Sequence, residues 1–264
     1  MEMIVDVNVL LGRWPFMPLK YEGVEGVLTL MDRAGIDKAV VTSLNSVFYY
    51  DYEIGNREVG EVCKQHPDRF IPFAVINPNF YLWKDHLKEC VERYGVKGIK
   101  FHADYHKFSL LAEETSEVMG EARKLKLPVY IQTSLLDMRH HPGYCFVLEV
   151  PTLEVAQAVE RYSENTFIVG GGKHFSSVVQ QLLKYAPKSE NFYVVTDGLG
   201  GPFDGVGGLV KQIGSLRILF GTRTPILYAE ALKLMVEQSK ICDEDKEKIL
   251  GGNAAELLSL KRRC

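Results

Sequence analysis

Lys100 and His102 close the run Gly98-Ile99-Lys100-Phe101-His102, two residues apart, so in an extended chain their side chains leave the same face. Arg223 follows the run Arg217 to Phe220 on the face shared by Arg217, Leu219 and Gly221. Asn8 lies in the first apolar run, Gln132 and Asp197 end later ones, and Lys173 and His174 follow Gly170-Gly171-Gly172. Gathered at one end of a sheet, these residues form a donor-rich, positively charged pocket. It suits a small anion, above all a carboxylate, because arginine binds one bidentately and glycine turns before a helix offer backbone N–H groups. Arg223 and Lys100 would hold the anion and polarise a carbonyl, while His102 or Asp197 shuttles a proton. The expected catalytic residues are therefore His102, Asp197 and Arg223. The expected ligand-binding residues are Asn8, Lys100, Gln132, Lys173, His174 and Arg223. Structural alternatives stand beside these roles: a loop hydrogen bond for His102, an ion pair with Asp6 or another carboxylate for Lys100, and a salt bridge to Arg223 for Asp197. Arg13 and Trp14 either line the rim or pack beneath a loop.

Eight short apolar or β-branched runs would position these groups: Ile4 to Leu10, Ala39 to Thr42, Phe70 to Ile76, Val96 to Phe101, Pro128 to Thr133, Phe167 to Val169, Phe192 to Thr196 and Arg217 to Phe220. Between them run amphipathic stretches such as Gly55 to Gln65, Trp83 to Arg93, Glu114 to Leu125, Leu153 to Tyr162, Ser176 to Tyr185 and Ala229 to Gln238. Gly35 and Gly95 fit helix C-terminal caps, and Pro67 and Pro128 precede strands. Eight strands alternating with helices predict a parallel sheet closed into a (β/α)8 TIM barrel, one domain over 1–264. An open doubly wound sheet is the alternative, but no Gly-x-Gly-x-x-Gly follows the first strand. Residues 135–151 lack periodicity and should form a loop or lid over the barrel mouth.

With 264 residues and 46% hydrophobic content the chain can bury one large core. Lys+Arg 31 against Asp+Glu 34 gives a net charge of -3, which excludes the basic field that nucleic-acid binding requires. No run approaches a membrane span, and the polar start Met1-Glu2-Met3-Ile4-Val5-Asp6 does not read as a signal peptide, so a cytoplasmic protein is expected. The 5 cysteines lack Cys-x-x-Cys spacing and read as reduced, buried hydrophobes.

Several segments carry a family resemblance: Ile4-Val5-Asp6, Gly35-Ile36-Asp37-Lys38-Ala39, Pro67-Asp68-Arg69-Phe70, Ala74-Val75-Ile76-Asn77-Pro78, Gly98 to His102, Leu127 to Thr133, Arg217 to Gly221 and Ile249-Leu250-Gly251-Gly252-Asn253-Ala254-Ala255-Glu256-Leu257-Leu258. In these the chain resembles the amidohydrolase superfamily, in its amidohydrolase-related group of decarboxylases and lactonases. The resemblance implies a metal-dependent-hydrolase barrel. Active members hold a divalent ion with two strand-one histidines, a strand-five histidine, often a strand-six histidine, and a strand-eight aspartate that handles the proton of attacking water.

At the matching positions this chain departs from that pattern. Asp6-Val7-Asn8-Val9-Leu10-Leu11-Gly12 reads like Asp-x-His-x-His-x-Gly with both histidines replaced, and Gln132, Gly171 and Arg223 occupy the remaining ligand positions. Leucine does not coordinate, amides are weak donors to zinc, and a guanidinium repels a cation by several kcal/mol at an effective dielectric of roughly 20. The expectation is therefore a degenerate metal site and no cofactor. A relocated zinc or other divalent site built from His102, His140, His141 and His174 is the alternative. Adjacent histidines point apart in extended chain, so His140 and His141 read first as an exposed polar loop. Without strand-one histidines, Lys100 has no metals to bridge as a carboxylated lysine and reads as a free ammonium.

Two functions follow. One is hydrolase, decarboxylase or lactonase chemistry on a small carboxylate-containing molecule; the other is a catalytically inactive barrel that binds a ligand or serves as a scaffold. A homo-dimer is expected only because such barrels often dimerise.

Overall fold

Among the described residues nine parallel strands wind around one axis in chain order: β1 Val5–Leu11, β2 Lys38–Ser43, β3 Phe70–Pro72, β4 Ala74–Val75, β5 Ile99–Phe101, β6 Val129–Gln132, β7 Phe167–Gly170, β8 Phe192–Val195 and β9 Ile218–Leu219. The computed structural model describes residues 3–143, 145–172, 175–187, 189–199 and 204–260. Strands β1 to β3 pair in one sheet and β4 to β9 in another. The run expected as one strand from Phe70 to Ile76 is interrupted at Phe73, whose N–H still donates to Val41 O at 3.1 Å, so β3 and β4 act as one stave. Val7 N–H donates to Phe220 O at 2.9 Å and Leu10 N–H to Thr224 O at 2.8 Å, which joins the last stave to the first. This is the expected eight-stave barrel.

Helices cover the strands wherever apolar residues recur at helical spacing. The stretches 53–65, 83–94, 113–124, 152–161, 175–185 and 229–237 are helical, each within two residues of its expected bounds. A helix at Gly23–Ala34 ends at Gly35 and one at Trp83–Tyr94 at Gly95, with φ +66° and +62°, the left-handed conformation that glycine takes at a C-terminal cap.

The barrel interior holds one apolar cluster that includes Val5, Val7, Tyr130, Ile168 and Leu219, and a larger cluster lies between strands and helices. Strand β1 breaks simple alternation. Its register with β2 shifts between Asp6 and Val9, so Val7 and Asn8 both face the interior while Val9 joins the outer cluster.

The barrel floor is sealed by the turn Lys248–Gly252 and by Asn253, whose Nδ2 donates to Ser215 O and Ile218 O, both at 2.8 Å. A Cβ on Gly251 would lie 1.8 Å from Met3 O, a backbone atom without room to retreat. Gly251→Ala is therefore expected to lower stability by about 1–3 kcal/mol, the scale of an overpacked core. Urea denaturation checks it, and an unchanged midpoint would show that this end of the barrel yields.

Candidate functional site

Arg223, just beyond β9, takes φ +56°, a conformation that residues with a side chain rarely adopt. The backbone there is held by Asp6: Thr222 N–H donates to Asp6 Oδ1 at 3.1 Å and Thr222 Oγ1 to Asp6 Oδ2 at 2.5 Å. The turn aims the guanidinium across the barrel mouth. Arg223 Nε lies 2.9 Å from Asp197 Oδ2, its Nη2 donates to Asp197 O, and its Nη1 donates to Leu135 O at 3.0 Å.

Below this ion pair lies a sealed polar network. Lys100 Nζ donates to Asn8 Oδ1 at 2.5 Å and sits 4.5 Å from the Tyr130 ring centroid. Asn8 Nδ2 donates to Gln132 Oε1 at 3.1 Å and to Asp197 Oδ2 at 2.7 Å, which uses both amide hydrogens. Gln132 Nε2 donates to Ser134 O at 2.8 Å, and Asp197 Oδ1 accepts from Gly171 N–H at 2.9 Å. Asn8, Lys100 and Gln132 are each at most 2% exposed.

Burial dominates the electrostatics. Desolvation holds the Lys100 ammonium down to about 7, against the attraction of Asp197. The Asp6 carboxyl is pushed up to about 7 by desolvation despite donors from Thr222 and Asn8. Burial also raises Asp104 to about 7 and lowers His106 to about 4. His102 is fully buried with no hydrogen-bond partner at either ring nitrogen among the described residues, and desolvation keeps its imidazole well below the usual range.

Above the ion pair opens a cavity of about 540 Å³ at the C-terminal ends of the strands. Its polar wall includes Ser134, Asp137, His140, Asp197 and Arg223; its apolar wall includes Trp14, Met17, Leu136, Leu199, Ile226 and Leu227. Of the expected site residues, Asp197 and Arg223 line this cavity. Asn8, Lys100 and Gln132 support them from beneath, and His102 stands apart from the cavity lining. Lys173 and His174 lie outside the described residues. Of the two alternatives for Asp197, the salt bridge to Arg223 forms. Lys100 donates to Asn8 in place of an ion pair with Asp6. Trp14 is buried and lines the cavity, whereas Arg13 pairs with Glu22 at the exposed rim.

Sequence reasoning missed Ser134, Asp137, Leu199 and Ile226. All lie in loops that follow strand C-terminal ends, the signal that could have found them.

A divalent ion at the usual strand ends meets an unsuitable donor set. Lys100 occupies Asn8 Oδ1, Leu10 packs with Trp14, Leu44 and Leu135, and the guanidinium of Arg223 stands over the site. A Cβ on Gly171, φ +78°, would meet Gln132 Nε2 at 2.0 Å, so a histidine does not fit at that position in this packing. Among the described residues no three His, Cys, Asp or Glu side chains converge as metal ligands. His102 is buried, His140 lines the cavity, and His141 packs among aromatic rings, so these three form no relocated site. Among the described residues the usual strand ends thus present an amide, a leucine and a guanidinium, and no step is routed through a metal.

The profile of the amidohydrolase family matches residues 10–260. No curated protein sequence matches the chain. Solved structures similar to it include 2,6-dihydroxybenzoate decarboxylase from Rhizobium, at 19% identity and TM-score 0.75, covering 98% of this chain and 99% of that one. A second is 5-carboxyvanillate decarboxylase from Sphingomonas paucimobilis, at 12% identity and TM-score 0.77, covering 99% and 100%. A third is a dihydroxybenzoic acid decarboxylase from Polaromonas sp. JS666 with bound manganese and the inhibitor 2-nitroresorcinol, at 18% identity and TM-score 0.75, covering 100% and 98%. The manganese corrects the expectation of no cofactor. Some decarboxylases of this fold are seen with manganese bound, so the replaced histidines at Asn8 and Leu10 are no ground for excluding a metal from this protein. Among the described residues no helix is long and apolar enough to cross a membrane.

Proposed function

The chain belongs to the amidohydrolase family, and from that premise we propose that it acts on a small carboxylate-containing molecule in the cavity above Asp197 and Arg223, as a hydrolase or a decarboxylase. The observation that carries this reading is the buried Asp197–Arg223 pair, 2.9 Å apart, on the wall of a half-apolar cavity at the strand ends. The carboxylate faces Arg223, and the apolar body lies against Trp14, Leu136 and Ile226. Arg223 is held in place before the ligand arrives, so the anion meets a fixed dipole and little ordering is left to the binding step.

The oxygens of Asp197 are occupied by Asn8, Gly171 and Arg223, so its role is to orient Arg223. His140 is the imidazole on the cavity wall among the described residues and is placed to exchange a proton with the substrate. The three similar solved structures named above are decarboxylases, two of them named for dihydroxybenzoates, which makes hydroxylated benzoates the first substrates to try.

The test is incubation with a panel of hydroxybenzoates and aryl lactones, with and without added manganese, following carbon dioxide release and product by chromatography. Saturable turnover that disappears in Arg223→Met is expected. A second reading, a binding protein without turnover, is favoured by one observation: the hydrogen-bonding capacity of Asp197 and most of that of Arg223 is spent inside the protein. Calorimetric binding of the same acids without product would select it, and neither binding nor turnover would overturn both.

A further inference from the structure

His140 and His141 are adjacent in the sequence, and the structure sends them to different places. His140 faces the cavity, while the His141 ring enters a cage of aromatic rings. Its centroid lies 5.8 Å from Phe16, 6.0 Å from Tyr105 and 6.2 Å from Trp14. Phe48 completes the cage, 5.3 Å from Tyr105 and 5.5 Å from both Trp14 and Phe16. Trp14 and Phe16 follow β1, Phe48 follows β2, Tyr105 follows β5 and His141 follows β6, so the cage ties four loops of the barrel mouth together.

Within it Tyr105 Oη and His141 Nε2 are 2.5 Å apart. Burial holds the Tyr105 hydroxyl well above its ordinary range, so it keeps its proton, and the two side chains share one hydrogen bond whose direction the imidazole tautomer sets. The segment after β6 is thus fastened twice. Near its start Leu135 O accepts from Arg223 Nη1 at 3.0 Å, and six residues later His141 enters the cage. The cavity-lining Leu136, Asp137 and His140 lie between the two fastenings. The part between is locally stiffened: Arg139 N–H donates to Asp137 Oδ1 at 3.0 Å, and its guanidinium pairs with the same carboxylate at 2.7 Å. Trp14 belongs to both the cage and the cavity wall, so a shift in one is felt in the other.

We propose that Tyr105 and His141 form a clasp that holds the segment after β6 as a strap over the cavity, positioning Leu136, Asp137 and His140 on its wall. For its ligand arm alone the inference rests on the reading of the cavity as a carboxylate site.

The experiment is amide hydrogen exchange, read by mass spectrometry on peptides covering 135–143, in the wild type, Tyr105→Phe and His141→Phe. Tyr105→Phe removes only the hydroxyl, and His141→Phe keeps a ring but no ring nitrogen. Loss of one hydrogen bond to the strap should raise exchange there about tenfold, with peptides from β6 to β8 unchanged. The two variants should agree, and the double variant should add nothing, because both break one bond. Exchange unchanged in either variant, or raised equally in the strands, would overturn the clasp. A second arm titrates 2,6-dihydroxybenzoate by calorimetry, where Tyr105→Phe should weaken binding several-fold. If the wild type fails to bind that probe, the carboxylate reading fails, while the exchange result still decides the clasp.

Discussion

Asp197→Ala is expected to lower the free energy of unfolding by about 3–5 kcal/mol, the cost of leaving a buried charge without its partner. Two donors lose their acceptor, Asn8 Nδ2 and Gly171 N–H, and the Arg223 guanidinium loses the carboxylate it pairs with. At about 2–4 °C per kcal/mol for a chain of this size, thermal unfolding should begin roughly 10 °C lower. Asn8 would be freed to turn, and with it the amide that accepts from Lys100. A double-mutant cycle with Arg223→Met separates the ion pair from general disruption, since the double variant buries no unpaired guanidinium. It should be more stable than the sum of the single losses by 1 kcal/mol or more. Strict additivity would mean that the guanidinium finds water or another carboxylate, and that Arg223 is not fixed before a ligand arrives. If Asp197→Ala does not fold, Arg223→Met alone still tests the pair through carboxylate binding.

Lys100 dictates a second large effect, in the pH dependence of stability. Its folded value is depressed to about 7 by desolvation, below the ordinary 10.5, so above pH 7 the unfolded chain binds a proton that the folded chain does not. Stability from this group is therefore present above the unfolded value and is lost as pH falls through the folded one. Between pH 7 and 9 the unfolding free energy should rise by about 1.4 kcal/mol per pH unit. Other buried groups bound this window. Asp6 and Asp104, raised to about 7 by burial, lose stability between roughly pH 4 and 7, while His106 and His102, depressed by burial, gain it over much of that range, and the two trends oppose each other. Above pH 9, Cys63 and Cys90, each pushed up to about 12 by burial, destabilise the fold as the unfolded thiols ionise. The rise from pH 7 to 9 thus belongs to Lys100, and stability should peak near pH 9. Urea denaturation across this range should show the slope in the wild type and lose it in Lys100→Met. A wild-type curve that is flat or falling from pH 7 to 9 would mean that Lys100 stays charged inside the barrel.

Both effects arise from contacts between residues far apart in the chain: 92 residues separate Lys100 from Asn8, and 189 separate Asn8 from Asp197. That distance marks what the residue order could and could not supply. Spacing of apolar residues located the helices and staves, because period 3.6 and period 2 are local properties of each segment. Gly35 and Gly95 marked helix ends because only glycine enters the left-handed cap freely. Alternation also assigned Lys100 and Arg223 to the strand ends.

Partners were decided only by closure of the barrel. Alternation states which face a side chain leaves, but which groups share that space depends on the register of neighbouring staves. The bulge between Asp6 and Val9 turns Asn8 inward beside Val7, a step that no local periodicity encodes. There Asn8 takes the Lys100 ammonium, which leaves Arg223 and Asp197 as the members of the expected set on the cavity wall. The same closure brings four loops together, so that His140 faces the cavity and His141 the aromatic cage. The sequence determined the barrel and the charged residues at its mouth through local period and turn chemistry. Tertiary structure decided which of those charges meet one another, which meet the cavity, and what covers it, because those outcomes depend on register and packing between distant segments.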